Sequence, residues 1–191
     1  MDQINQAIVQ LRKHLLLDNH ECTLLEEKLR PFQLDRKGIL IQPGQQARDV
    51  AFITAGCMQA YSIDEQGTTH ILQFAPPEWW ITDMHSFISK QPAHLLVDAL
   101  LPSAGVLLSR EDQLDLFDRV PKIERHFRIL TENALVGSRQ RILDGMSLTA
   151  RDRYDKFCRT YPSLINAIPQ KRIAQFLGIT PEFLSKIRAQ F

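Results

Sequence analysis

Glu182, Ser185, Lys186, Arg188 and Gln190 fall within nine residues of one another, and Lys171 and Thr180 stand shortly before them. Carboxylate, hydroxyl, ammonium, guanidinium and amide groups at that density are the chemistry that reads base edges and holds phosphates. Glu182, Ser185 and Lys186 suit base edges. Arg188 and Gln190 suit phosphates, and Lys171 and Thr180 suit the nucleic-acid backbone beside them. The stretch Gln170–Ile187 supplies an element to position these groups. Ile173 and Leu177 are spaced to pack inward from a first helix, with small Ala174 where a second helix would cross. Gly178 falls where a turn needs positive φ, and Ile179 is an apolar plug. Thr180 is a helix cap and Pro181 a first helical residue that misses no N–H bond. Leu184 and Ile187 anchor the second helix. The joint pattern predicts a helix-turn-helix, against the blander alternative of a helical hairpin that only packs.

Total charge speaks the other way. Lys+Arg number 23 and Asp+Glu 22, a net charge of +1. Residues 140–191, however, carry nine basic and four acidic side chains, a local +5, which leaves −4 over residues 1–139. The neutral sum hides a basic terminal third, the footprint nucleic acid requires.

The elements upstream must carry that head. With 191 residues, 44% hydrophobic and 24% charged, the chain fills a globular core, which excludes a disordered tail, a collagen-like fibre and a disulfide mini-protein. The N-terminus is acidic and amphipathic rather than a signal peptide, no window approaches ~18 apolar residues, and a cytoplasmic protein without membrane contact is expected. Cys22, Cys57 and Cys158 are far apart and odd in number, as reduced thiols would be. Ile4, Ala7, Ile8, Leu11 and Leu15 predict a helix over 3–16, and a second runs over about Asn19–Leu29 behind a cap at Asp18 or Asn19. After Pro31 come short apolar runs punctuated by Gly38, Gly44, Gly56 and Gly67, then Leu95–Leu101 and Gly105–Ser109: β structure with tight turns, a sandwich or small roll. Ser109 caps a short helix. Pro121 opens a long one, in which Ile123, Phe127, Leu130, Ala134 and Gly137 step by three and four. That seam predicts pairing with a second copy, against an ordinary core-facing stripe. The fold class is α+β.

Other chemistries lack their residues. An iron–sulfur sensor needs about four cysteines, several near the N-terminus, where only Cys22 lies. A haem would need His85 or His94 as an axial ligand. A cupin-type metal enzyme needs clustered histidines, whereas His70, His85 and His94 are scattered. No GxSxG, P-loop, HExxH or GxGxxG occurs. No enzyme and no metal site is expected.

The ordered set of roll, long helix and terminal helix-turn-helix resembles the Crp/Fnr family of transcription regulators over nearly the whole chain. It looks closest to the short, roughly 190-residue type of Bacteroidetes-like bacteria. The resemblance is carried by Arg36-Lys-Gly38 to Pro43-Gly44, Phe52 to Tyr61, Gly67 to Phe74, Trp79 to Asp83, Arg153-Tyr154, Tyr161-Pro162 and Ile168 to Arg188. It implies an N-terminal antiparallel β-roll like a cyclic-nucleotide-binding domain over 1–120, a dimerisation helix over 121–145 and a DNA-binding head over 146–191. It implies a homodimer on double-stranded DNA, with a small-molecule effector and RNA polymerase as further partners. Pro181 stands where the family places a polar base contact, and the chain ends at Phe191 where a β-wing would follow. The effector pocket would involve Trp80, Thr82, Asp83, Met84, Ala93 and His94, and Trp79 and Trp80 could line it. Members that bind cyclic AMP open a phosphate cassette with Gly-Glu and close it with Arg-Ser or Arg-Thr. Here Thr82-Asp83 stands at the opening and Gln91-Pro92-Ala93-His94 at the closing position, the arginine is missing, Pro92 lacks an N–H, and Lys90 falls on an exposed loop. That departure argues against a cyclic nucleotide and leaves the cofactor unassigned. The remaining reading is a ligand-free roll serving as a protein-interaction module with a vestigial head.

Overall fold

Asp18 starts the second helix with a reciprocal pair of bonds: its carboxylate accepts from the Glu21 N–H, and Glu21 accepts from the Asp18 N–H, each at 2.8 Å. That helix is α2 (Asn19–Lys28), and before it stands α1 (Gln3–Leu11). The computed structural model describes residues 2–189. α1 ends before the residue-16 limit its spacing predicts. The Lys13 and His14 N–H groups bond three residues back, to Gln10 and Leu11, which tightens the chain into a turn. Leu15 stays buried beyond that turn, so the apolar period outlives the helix.

Eight strands follow: β1 (Arg30–Leu34), β2 (Ile39–Ile41), β3 (Asp49–Ala55), β4 (Met58–Ile63), β5 (Thr69–Ala75), β6 (Trp80–Ile81), β7 (Leu96–Ala99) and β8 (Ser103–Ser109). They form two four-stranded sheets in the orders β1-β8-β3-β6 and β2-β7-β4-β5. The apolar runs face inward, and Phe52, Ile53, Met58, Ile81 and Leu108 are fully buried. The turn between β4 and β5 is held by the Asp64 carboxylate, which accepts from the Gln66 and Thr68 N–H groups, with Gly67 at φ +78°. Strand β6 and the helix α3 (Met84–Ser89) carry no periodic signal in the sequence because each is too short to show one.

Ser109 caps α4 (Arg110–Arg119), accepting from the Asp112 N–H at 3.0 Å. Pro121 opens α5 (Pro121–Ser147), 27 residues long. Then come α6 (Ala150–Thr160), α7 (Gln170–Leu177) and α8 (Pro181–Arg188). The chain divides into two compact units: Met1–Ser62 with Gln73–Ile129, and Ile63–Leu72 with Leu130–Phe191. The division falls inside α5. The β4–β5 turn joins the second unit because Arg141 of α5 donates to the Leu72 carbonyl at 2.6 Å and lies 4.8 Å from the centre of the Phe176 ring on α7. None of the described helices is long and apolar enough to cross a membrane.

One expectation changes here. The three- and four-residue spacing puts Ile123 and Phe127 at the start of the α5 seam. The structure turns both toward their own unit: Ile123 is fully buried in the core, and the Phe127 ring packs at a tilt against Trp80 and Phe117, ring centres 4.8 and 5.6 Å apart. Three- and four-residue spacing fixes a face of the helix but not what covers it. Leu130 is half-buried and Ala134 and Gly137 are exposed.

Candidate functional site

The head is built by local rules. Gly178 sits at φ +67° and ends α7, a left-handed position that glycine adopts without a Cβ penalty. Thr180 Oγ1 accepts from the Phe183 N–H at 3.2 Å and Pro181 occupies the first turn of α8. Ile173, Ala174 and Leu184 are fully buried, and Leu177 and Ile187 nearly so. Ile179 is half-buried. Two anchors on one side of α8 leave Glu182, Ser185 and Lys186 exposed on the other. Lys171 and Thr180 are exposed too. Arg188 is half-buried and close enough to the Tyr154 phenol for its charge to act on it. Gln190 lies outside the described residues. Phe183, which a search for polar types passes over, is 49% exposed at the start of α8. Replacing Thr180 by alanine removes the cap and should cost about 1 kcal/mol of head stability, read by urea unfolding of the whole chain.

A second set of apolar residues on α5 lies beside the face that the Ile123–Gly137 spacing marks. Ile129, Leu135, Val136, Ile142, Leu143 and Met146 are exposed along α5. Ile129, Val136 and Leu143 recur every seven residues, the spacing of a paired helix.

In the roll, the structure brings only part of the expected pocket together. Trp80 is half-buried in an aromatic cluster, 5.0 Å from Phe52 and 4.8 Å from Phe127, and its indole Nε1 is buried without a hydrogen-bond partner. Trp79 is exposed. Thr82 is buried and donates to the Asp49 carbonyl at 2.8 Å. Ala93 is buried, and its N–H goes to the Gln45 carbonyl. Met84 points to solvent, and His94 is exposed and stacks on His85 at 4.7 Å. Asp83 is 1% exposed. Its carboxylate accepts from Ser86 N–H at 3.0 Å, His94 N–H at 2.8 Å and Leu95 N–H at 2.9 Å. Burial pushes this acid up, but the three amide bonds and the nearby His85 outweigh it and hold the carboxyl below the usual aspartate range. A carboxyl that is more acidic in the folded chain stabilises the fold at neutral pH and loses that contribution as pH falls through the acid range. Thermal midpoints measured from pH 7 down to pH 3 should therefore fall more steeply for the wild type than for Asp83→Asn.

The described residues contain no group of three or more metal-ligating side chains. Cys22 and Cys57 are buried and Cys158 half-buried, all as free thiols. Burial pushes the Cys57 thiol up to about 12, which leaves it protonated and inert.

No protein-family model matches the chain. The regulatory protein HlyX of Actinobacillus pleuropneumoniae is 25% identical over 203 residues, covering 98% of this chain and 82% of HlyX. FixK2 of Bradyrhizobium japonicum superposes with a TM-score of 0.74 at 18% identity, over 85% of this chain and 83% of FixK2. A transcriptional regulator of the Crp/Fnr family from Eubacterium rectale superposes at 0.68 and 13% identity, over 92% and 83%. The chain shares the fold of these solved structures, two antiparallel sheets followed by a long helix and a terminal pair of helices. The chain is thus similar in sequence to HlyX and in fold to FixK2 and the Eubacterium rectale protein.

Proposed function

We propose that the protein is a homodimeric, sequence-specific DNA-binding regulator whose roll is the regulatory part. Two subunits pair through the exposed apolar face of α5, and each places α8 in a major groove. The two grooves lie about 34 Å apart on a roughly palindromic operator. Glu182, Ser185 and Lys186 read base edges. Lys171, Thr180, Arg188 and Gln190 serve the phosphates. The exposed ring of Phe183 offers apolar contact to a thymine methyl. The observation that carries this reading is α8 itself. It is capped by Thr180, anchored on one side by Leu184 and Ile187, and lined on the other by polar side chains in the basic third of the chain.

The test is a gel shift on duplexes selected from a random pool, run at 50 and 200 mM salt. Phosphate contacts predict affinity that falls steeply between the two. A protein-interaction module would shift no duplex at either salt. Lys186→Ala should cost about 1–3 kcal/mol at a selected site and relax base preference at one position, while binding to unrelated DNA changes little. A uniform loss across all sequences would instead make Lys186 a phosphate contact.

A further inference from the structure

The loop that closes the cassette keeps no N–H group in reserve. Gln91 donates to Ser89 Oγ at 3.2 Å, Pro92 has no N–H, and Ala93 donates to the Gln45 carbonyl at 2.8 Å. His94 and Leu95 both donate to one oxygen of Asp83. The other oxygen of Asp83 takes the Ser86 N–H. The Ser86 hydroxyl donates to the Gln91 carbonyl at 2.6 Å and accepts the Ala47 N–H at 2.8 Å. Buried backbone donors must be matched, and convergent ones favour an anion. Here the anion is part of the chain.

We infer that Asp83 is a built-in anion that ties the cassette loop from within, so that the roll keeps this arrangement, and the head its DNA affinity, without a bound nucleotide or phosphate. A phosphate entering this loop would find its amides already taken by a buried carboxylate of the same charge. Bringing the two anions together costs more than either gains. The Thr82 hydroxyl and the Ala93 N–H are likewise committed, to Asp49 and Gln45. The loop therefore behaves as a structural clasp between α3 and β7. For its DNA arm alone, this inference rests on the proposed function.

The test uses the full chain, a selected duplex, cyclic AMP at 1 mM and inorganic phosphate at 20 mM with ionic strength matched. The expected result is that neither compound changes operator affinity more than twofold or moves the thermal midpoint by more than about 1 °C. Asp83→Asn should lower the midpoint by about 5 °C or more. Asp83→Ser keeps a cap acceptor for Ser86 but cannot reach His94 and Leu95, and it should remain almost as destabilised. A tenfold, saturable gain in operator affinity with either compound would overturn the inference. So would a midpoint rise of several degrees, or an Asp83→Ser chain as stable as the wild type. If Asp83→Asn does not fold, the wild-type arms and Asp83→Ser decide. If the wild type shifts no duplex under any condition, the DNA-binding reading fails and the thermal arms still test the clasp.

Discussion

A chain carrying Val136→Asp and Leu143→Asp is expected to sediment as a monomer and to lose operator binding. Both side chains stand on the exposed face of α5, where every residue from 131 to 143 is open to solvent in the single subunit. Nothing in the subunit's own core depends on them, so the double variant should fold with an unchanged helical signal. In a paired helix each apolar residue leaves water on both copies, worth about 1.5–3 kcal/mol per fully buried side chain. Aspartates there lose that gain and add like charges facing each other across the two-fold axis. The pairing constant should weaken by more than 100-fold, read by sedimentation across a concentration series. Operator affinity falls with it, because a dimer holds its second head at high local concentration over the second half-site while a monomer does not. A variant that stays dimeric would move the interface off this face. One that becomes monomeric yet binds with full affinity would remove the two-headed reading.

What the sequence discloses depends on whether the physical demand is local. Gly178, Thr180 and Pro181 are legible because each meets a requirement set within its own few residues: a positive φ, a cap acceptor, a missing N–H. The structure has Gly178 at φ +67° and Thr180 capping the Phe183 N–H. The strands between Pro31 and Ser109, β6 apart, were legible for the same reason, since glycine turns and apolar runs mark them. What covers the first turns of α5 was not. Ile123 and Phe127 keep the same spacing as a pairing seam, and only the surrounding fold shows that Trp80 and Phe117 cover Phe127. The clasp at Asp83 was hidden more deeply. Its partners His94 and Leu95 lie 11 and 12 residues on and contribute backbone amides, which leave no mark in residue type. The exposure of Phe183 was equally hidden, because an aromatic residue beside a helix cap marks a buried position as readily as an open one.

Gly105→Ala should unsettle the roll severely. Gly105 lies in β8, the strand flanked by β1 and β3, opposite Phe32 on one side and Ile53 on the other. A Cβ built there would stand 2.1 Å from the Phe52 carbonyl oxygen and 3.0 Å from the Phe32 ring. A flexible side chain could swing aside, but the Phe52 carbonyl belongs to the backbone of a paired strand in the buried core. Relief requires β3 and β8 to separate, which breaks ladder bonds and opens space around the fully buried Phe52. The expected cost is about 3 kcal/mol, or roughly 10 °C in thermal midpoint for a chain of this size. Gly137→Ala supplies the contrast. It adds the same methyl group in the middle of α5, where nothing lies within 4 Å. Alanine is the better helix former there, and the subunit should gain about 0.5–1 kcal/mol. Under the proposed pairing, a gain at 137 that persists at concentrations where a dimer forms would show that two α5 helices do not press together at that glycine. A loss confined to the paired state would show that they do.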